Sequence, residues 1–199
     1  MPRRNHAVTL IELIIAIVLM SLVVLGLANI DFFSHFHVIT SERRAKVQNE
    51  VSYALEHMAK EISKAIGDTN NPPAVIDESN RRVKVYIDYN QTGQIDSGDR
   101  WIAYRYRDSL TSTPYQFWYC PQCLTPTCDA CTPDDWNSTN FINNGYVLSK
   151  KISGFNPAYI DNYIETQITG RWDATKAASR DNPEITMRTR INMPSVSLR

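Results

Sequence analysis

The sequence predicts an α+β protein: a long N-terminal helix, apolar throughout its first part and amphipathic in its second, packed against an antiparallel β-sheet head. Three observations carry this. Leu13–Ile30 contains no charged residue. Val47, Val51, Ala54/Leu55, Met58, Ile62 and Ala65/Ile66 then recur at three- and four-residue steps, the spacing that lines one face of a helix. From Arg81 onward the periodicity falls toward two, in segments rich in β-branched and aromatic residues and separated by turn residues. The chain divides accordingly into a basic start at 1–7, an apolar helix at 8–33, an amphipathic helix at 34–66 and a head at 74–199.

At 199 residues there is room for one domain plus an appendage. Twenty-one basic residues balance 21 acidic ones. A net charge of zero gives no general electrostatic pull on nucleic acid or on anionic membrane surfaces. Ten tyrosines against six phenylalanines suit a sheet-rich head with polar-tipped rings.

The first element is the apolar run. Roughly 18 uncharged residues at ~1.5 Å rise form a helix about 27 Å long, close to the hydrocarbon thickness of a bilayer. Arg3 and Arg4 precede it, and the next basic pair, Arg43-Arg44, comes well after it. That asymmetry leaves the N-terminus in the cytoplasm. A secretory signal has a shorter apolar centre ending in a small-x-small cleavage site. A plain signal anchor explains the length but not the carboxylate of Glu12 near its start. A buried core helix is rarely apolar all the way round in a domain of this size.

Ala7-Val8-Thr9-Leu10-Ile11-Glu12-Leu13 resembles the signature of the type IV pilins and the type II secretion pseudopilins. In that family a membrane aspartyl peptidase cuts after a small residue, usually Gly, and methylates the new N-terminal amine. The first mature residue is commonly Phe and a glutamate stands fifth. Aligned on this chain, cleavage falls between Ala7 and Val8, residues 1–7 become the leader, and Glu12 takes the fifth place. Ala7 in place of Gly and Val8 in place of Phe are the two departures.

The resemblance implies four kinds of partner: the prepilin peptidase/methyltransferase, the inner-membrane assembly platform, inner-membrane lipid, and other pilin or pseudopilin subunits reached through the N-terminal helix. It places the chain in the bacterial inner membrane as a single-pass protein with a periplasmic head, and later in a periplasmic or cell-surface filament. Val47–Ile62 is similar to the post-membrane helix of the larger minor pilins, the PilW and pseudopilin J kind, and the large head, with its calcium-loop-like and cysteine-rich segments, suggests a minor or tip-proximal filament component rather than the abundant shaft subunit.

Glu12 has a physical rationale of its own. A lone carboxylate at hydrocarbon depth is costly, so it is either protonated or paired. Removing the leader creates an α-amine one helical turn away, and the same amine on a neighbouring subunit could pair with Glu12 and set the axial register.

The amphipathic stretch stops at Gly67, followed by Asp68, Asn70, Asn71, Pro72 and Pro73. Strand candidates in the head are Val83–Ile87, Trp101–Tyr106, Tyr115–Tyr119, Tyr146–Leu148, Tyr163–Ile168 and Ile185–Ile191. Between the first two lies Asp88-Tyr-Asn-Gln-Thr-Gly-Gln-Ile-Asp-Ser-Gly-Asp99. It follows the calcium-loop plan, with oxygens from Asp88, Asn90, Thr92, Asp96 and Asp99 at positions 1, 3, 5, 9 and 12, the carbonyl of Gln94 at 7, and Gly93 at the turn. Thr92 and the short Asp99 are departures, the latter similar to dockerin-like loops. The competing reading is a polar hairpin turn with no metal.

Cys120-Pro-Gln-Cys123 and Cys128-Asp-Ala-Cys131 are paired CxxC units, which build tetrahedral structural zinc sites. Only four residues separate them, shorter than a zinc-ribbon spacer, and an exported head in an oxidising compartment favours disulfides. Either state would staple a Pro-rich loop, and four cysteines allow three pairings.

No catalytic constellation stands out. His6, His35, His37 and His57 fall in the leader or along the helix rather than in the head, which leaves no histidine-dependent triad there. Arg105 and Arg107 beside Tyr104 and Tyr106 read as one wet and one packed strand face rather than a nucleic-acid surface. The function this supports is a non-enzymatic subunit of a type IV pilus-like filament. A type II secretion pseudopilus subunit and a non-polymerising, single-pass anchored binding protein are the competing classes.

Overall fold

A computed structural model describes residues 9–67, 73–77, 81–107, 115–123, 145–160, 162–193 and 195–196. One helix, α1, runs Leu10–Ile62. The chain falls into two compact units, Met1–Glu42 and Arg43–Arg199.

In the first unit the helix is apolar and bare. Leu10, Ile11, Leu13, Ile14, Ile15, Ile17 and the large apolar residues that follow, as far as Phe33, are all exposed. Its polar side chains turn back on the helix. Ser21 Oγ donates to the Val18 carbonyl at 2.7 Å and Thr40 Oγ1 to that of Phe36 at 3.0 Å. Such back-bonding satisfies a hydroxyl where no water is at hand.

The second unit adds ten strands: β1 Ile66–Gly67, β2 Ala74–Asp77, β3 Arg82–Ile87, β4 Arg100–Arg107, β5 Gln116–Cys123, β6 Tyr146–Ser149, β7 Ile152–Ile160, β8 Tyr163–Arg171, β9 Glu184–Asn192 and β10 Ser195–Val196. β2 to β6 form one antiparallel sheet in sequence order, and β7-β8-β9 a second. β1 and β10 pair in parallel. The α+β class and the antiparallel head stand as the sequence predicts.

The core is where the stripe on α1 meets both sheets. Val47, Val51, Ala54, Met58 and Ile62 are each fully buried. They cluster with Val83, Val85, Ile87, Ile102, Tyr104, Phe117 and Tyr119 of the larger sheet and with Ile152, Phe155, Ile164, Ile168 and Ile191 of the smaller. Each such aliphatic side chain contributes about 1.5–3 kcal/mol over its exposed state. Phe117 and Phe155 meet edge to face at 5.0 Å between centroids, joining one sheet to the other. β8 runs so close to α1 that a Cβ on Gly170 would stand 2.5 Å from Val51 Cγ2 and 3.1 Å from Val47 Cγ1.

Several expectations need correcting. The helix stops at Ile62, four residues before the expected end. Lys64 N donates to Glu61 O at 3.2 Å and Ala65 N to Ile62 O at 3.0 Å, tightening the last turn. Ala65 then bridges Ile87, and Ile66 enters β1. Both residues are buried in either conformation, so apolar spacing alone could not separate them. β1, β2, β7 and β10 were not expected; β7 carries Gly154, Asn156 and Pro157, which read as turn residues. Arg105 is not on a wet face: Trp101 through Tyr106 are all buried, so both faces of β4 are covered. Cys120 and Cys123, expected in a loop, lie in β5.

Candidate functional site

Three groupings of side chains are built from the residues singled out above. The first is the start of α1. Thr9 N and Thr9 Oγ1 donate to Glu12 Oε2 at 2.8 and 3.0 Å, and Glu12 N lies 3.4 Å from Thr9 Oγ1. This is a reciprocal capping box, in which two otherwise orphaned donors of the first turn find acceptors. The carboxylate also sits at the positive end of the helix dipole. The signal, Thr-x-x-Glu, stood in the sequence and was passed over because Glu12 was read only as a docking charge. Ala7 and Val8 lie outside the described residues.

Below the cap, Leu13, Ala16, Ile17, Met20, Ser21, Val24, Leu25 and Ala28 line a shallow apolar groove at helical spacing. Alanine and serine at such positions let another helix approach closely in lipid. The helix is long and apolar enough to cross a membrane, and its most apolar window is wholly unburied. Among the described residues it is the one such helix, and its place near the N-terminus suits a single membrane anchor.

The second grouping is the 88–99 loop, whose polar groups bond chiefly to one another. The Asp88 carboxylate accepts from Thr92 N at 3.0 Å and Gly93 N at 2.7 Å. Thr92 Oγ1 lies 3.3 Å from Asn90 Oδ1, 3.1 Å from the Gln94 carbonyl oxygen and 3.0 Å from Asp96 Oδ2. Asn90 Nδ2 donates to both Asp96 oxygens, at 2.9 and 3.0 Å, and Gly98 N to Asp96 Oδ1 at 2.7 Å. The amide of Asn90 foremost, with the Gly98 N–H, holds the Asp96 carboxyl below the usual carboxylate range. Asp99 Oδ2 accepts from Asp96 N at 2.9 Å. Among the described residues, no three His, Cys, Asp or Glu side chains by themselves form a metal cluster; the loop's donors are mixed carboxylate, amide, hydroxyl and carbonyl oxygens.

The third grouping was missed in the sequence. His57, placed along the helix and outside the head, lies inside it among four tyrosines. Its Nδ1 is 2.9 Å from Tyr104 Oη and its Nε2 3.2 Å from Tyr146 Oη, and the Tyr119 ring stacks edge-on at 4.6 Å. Tyr53 closes the cage at 6.3 Å. No sequence signal ties residues so far apart in the chain. Burial, the largest influence, lowers the His57 pKa; Glu61 opposes it, while Lys60 and Lys64 add to it. Burial likewise pushes the Tyr104 and Tyr119 hydroxyls up, so both stay neutral.

A histidine whose folded pKa is depressed binds its proton less readily than in the unfolded chain. Its contribution is therefore complete above about pH 6.5 and declines as pH falls below that value. The melting temperature of the detergent-solubilised chain should drop between pH 7 and pH 5. A His57→Gln variant should show a shallower drop; an unchanged slope would remove His57 as the cause.

Of the cysteines, Cys120 is buried in β5. The side chain of Cys123, and Cys128 and Cys131 altogether, lie outside the described residues, so the pairing is not addressed.

Comparison with known proteins gives one finding. Residues 2–28 match the family model of the prokaryotic N-terminal methylation motif. No curated protein and no solved structure matches the chain. The match supports the type IV pilin and pseudopilin family for this chain, and with it an N-terminus processed by a peptidase and a role among other pilin subunits. It ends within α1, and the head lies outside it.

Proposed function

Starting from a chain that begins as the prepilins do, we propose that it is a filament subunit cut between Ala7 and Val8, methylated on the Val8 amine, and polymerised through its N-terminal helix. The leader stays on the cytoplasmic side of the inner membrane and the head is periplasmic until assembly. Its place is that of a minor or tip-proximal component of a type IV pilus-like filament, the class that includes the type II secretion pseudopilus.

One observation carries this reading. An apolar helix, exposed from Leu10 to Phe33, bears the carboxylate of Glu12 in its first turn, five positions into the expected mature chain, and the next acidic residue, Asp31, stands at its far end. A plain membrane anchor has no use for that carboxylate, and a core helix would be covered. The Val47–Ile62 stripe, sealed inside the head, leaves the apolar segment free for lipid or for other helices. Among the described residues, both ring nitrogens of His57 are taken up by the hydroxyls of Tyr104 and Tyr146.

Mass spectrometry of the protein's N-terminus, purified from its own membranes, tests the proposal. A chain starting at N-methylated Val8 is expected. An intact Met1 in a functioning protein would overturn it in favour of a simple anchor.

A further inference from the structure

We propose that the loop joining β3 to β4 is a calcium site, and that the bound ion braces the end of the head at which α1 gives way to the sheet. This goes beyond the filament assignment and does not depend on it.

The donor chemistry comes first. Every side chain aimed into the loop offers oxygen: Asp88, Asn90, Thr92, Asp96 and Asp99, with the Gln94 carbonyl. A set without nitrogen or sulfur ligands suits a hard cation. Six mixed oxygens on a flexible loop suit calcium better than magnesium, which demands strict octahedral geometry and keeps its waters. Four of these oxygens already crowd together, since Thr92 Oγ1 has those of Asn90, Gln94 and Asp96 within 3.3 Å.

Two further observations stand apart from the loop's own hydrogen bonds. Asp99 Oδ1 is shielded from solvent and has no hydrogen-bond partner. A buried carboxylate oxygen left unmet is costly, and a cation supplies what is missing. The second is Gly98. A Cβ there would collide with the Asn90 amide and stand 3.0 Å from Asp96 Oδ1. Glycine at 98 lets the Asn90 amide lie this close without having to turn aside. In the structure Asn90 turns its Nδ2 toward Asp96; a half-turn of that amide presents Oδ1 instead, and side-chain amide orientation is set by the charge it meets.

The loop is also wired to the helix. Asp88 N donates to the Lys64 carbonyl oxygen at 3.0 Å, and Ala65 bridges Ile87. Asp88 thus joins the first ligand position to the turn that ends α1, and Arg100 at the loop's far end pairs with Ile87. Holding both ends of the loop on one ion would tie the β3–β4 hairpin to that turn.

The experiment uses the full detergent-solubilised chain, stripped with chelator. Thermal unfolding is followed while calcium chloride is raised to about 10 mM, with magnesium chloride as the control at equal ionic strength. Extracellular-type loops bind in the 10⁻⁴–10⁻³ M range, so a rise of about 3–8 °C is expected with calcium and little with magnesium. Asp96→Asn should abolish the rise while leaving the metal-free melting temperature within about 2 °C, and Asp173→Asn, outside the loop, should keep it. Terbium gives a second readout independent of the variant's folding. Tyr86 Oη lies 3.4 Å from the Asp96 carbonyl oxygen, close enough to sensitise terbium emission, and calcium should quench it by displacement. Three results would overturn the proposal: no calcium-dependent rise, an equal rise with magnesium, or terbium emission that calcium fails to displace. Any of them would leave a hydrogen-bonded turn only, and none would touch the outcome of the N-terminal mass measurement.

Discussion

Replacing Glu12 by valine should leave the protein in the inner membrane at its normal level and deplete it from sheared filaments by tenfold or more. Valine removes the acidic side chain at the start of the apolar segment, so insertion gets easier. It also removes the acceptor for an incoming subunit's amine. A hydrogen bond to a charged group is worth about 1.5–3 kcal/mol, and each 1.4 kcal/mol is a factor of ten in association. Immunoblots of membrane and filament fractions measure both quantities. Glu12→Gln refines the result, because the glutamine carbonyl can still accept from Thr9 N and preserve the helix cap at 2.8 Å. If glutamine restored incorporation, the cap rather than the charge would be the part that assembly needs. Incorporation of Glu12→Val at the natural level would sink the assembly role altogether.

The second large effect is expected in the head. Phe155→Ala should lower stability by about 3–5 kcal/mol, the cost of emptying a buried aromatic site. Phe155 is fully buried on β7 and touches Phe117 on β5, so its ring fills the space where the two sheets meet the helix stripe. At roughly 2–4 °C per kcal/mol for a domain of this size, the melting temperature should fall by about 6–20 °C. Ile160→Ala, at the exposed end of the same strand, should change it by little, as surface substitutions do. Similar losses from the two substitutions would mean that the sheets are not joined through this contact.

The helix stripe was legible from Val47 to Ile62: Val47, Val51, Ala54, Met58 and Ile62 are buried and Leu55 is partly so. A 3.6-residue pattern flanked by polar residues has only one structural solution. Six strands were legible for the corresponding reason; five extend the expected segment by one to three residues, and β5 starts one residue later than expected and runs four residues further. β7 was not, because Gly154, Asn156 and Pro157 argue locally for a turn. The strand survives since it pairs only with β8 in its sheet, so the missing N–H of Pro157 costs no second ladder. The alternation in β4 misled in the other direction. Tyr and Arg in turn imply one wet face, but Lys84 and Arg105 are as shielded as their apolar neighbours. Propensity sees one strand; coverage of its outer face depends on other parts of the chain. The His57 cage was invisible because it assembles residues 53, 57, 104, 119 and 146. By contrast, the polar loop at 88–99 was readable as a unit, since all the groups that bond within it are local.

The clasp between Glu12 and Thr9 bears on how a lone subunit waits. A carboxylate held by the amide and hydroxyl of its own first turn is not a bare anion in oil, so solitary copies can be kept in reserve without a companion. In the proposed filament Glu12 would exchange its Thr9 donors for an incoming subunit's amine, so that contact contributes only the difference between the two sets. The remaining drive would come from covering the apolar side chains that α1 leaves exposed.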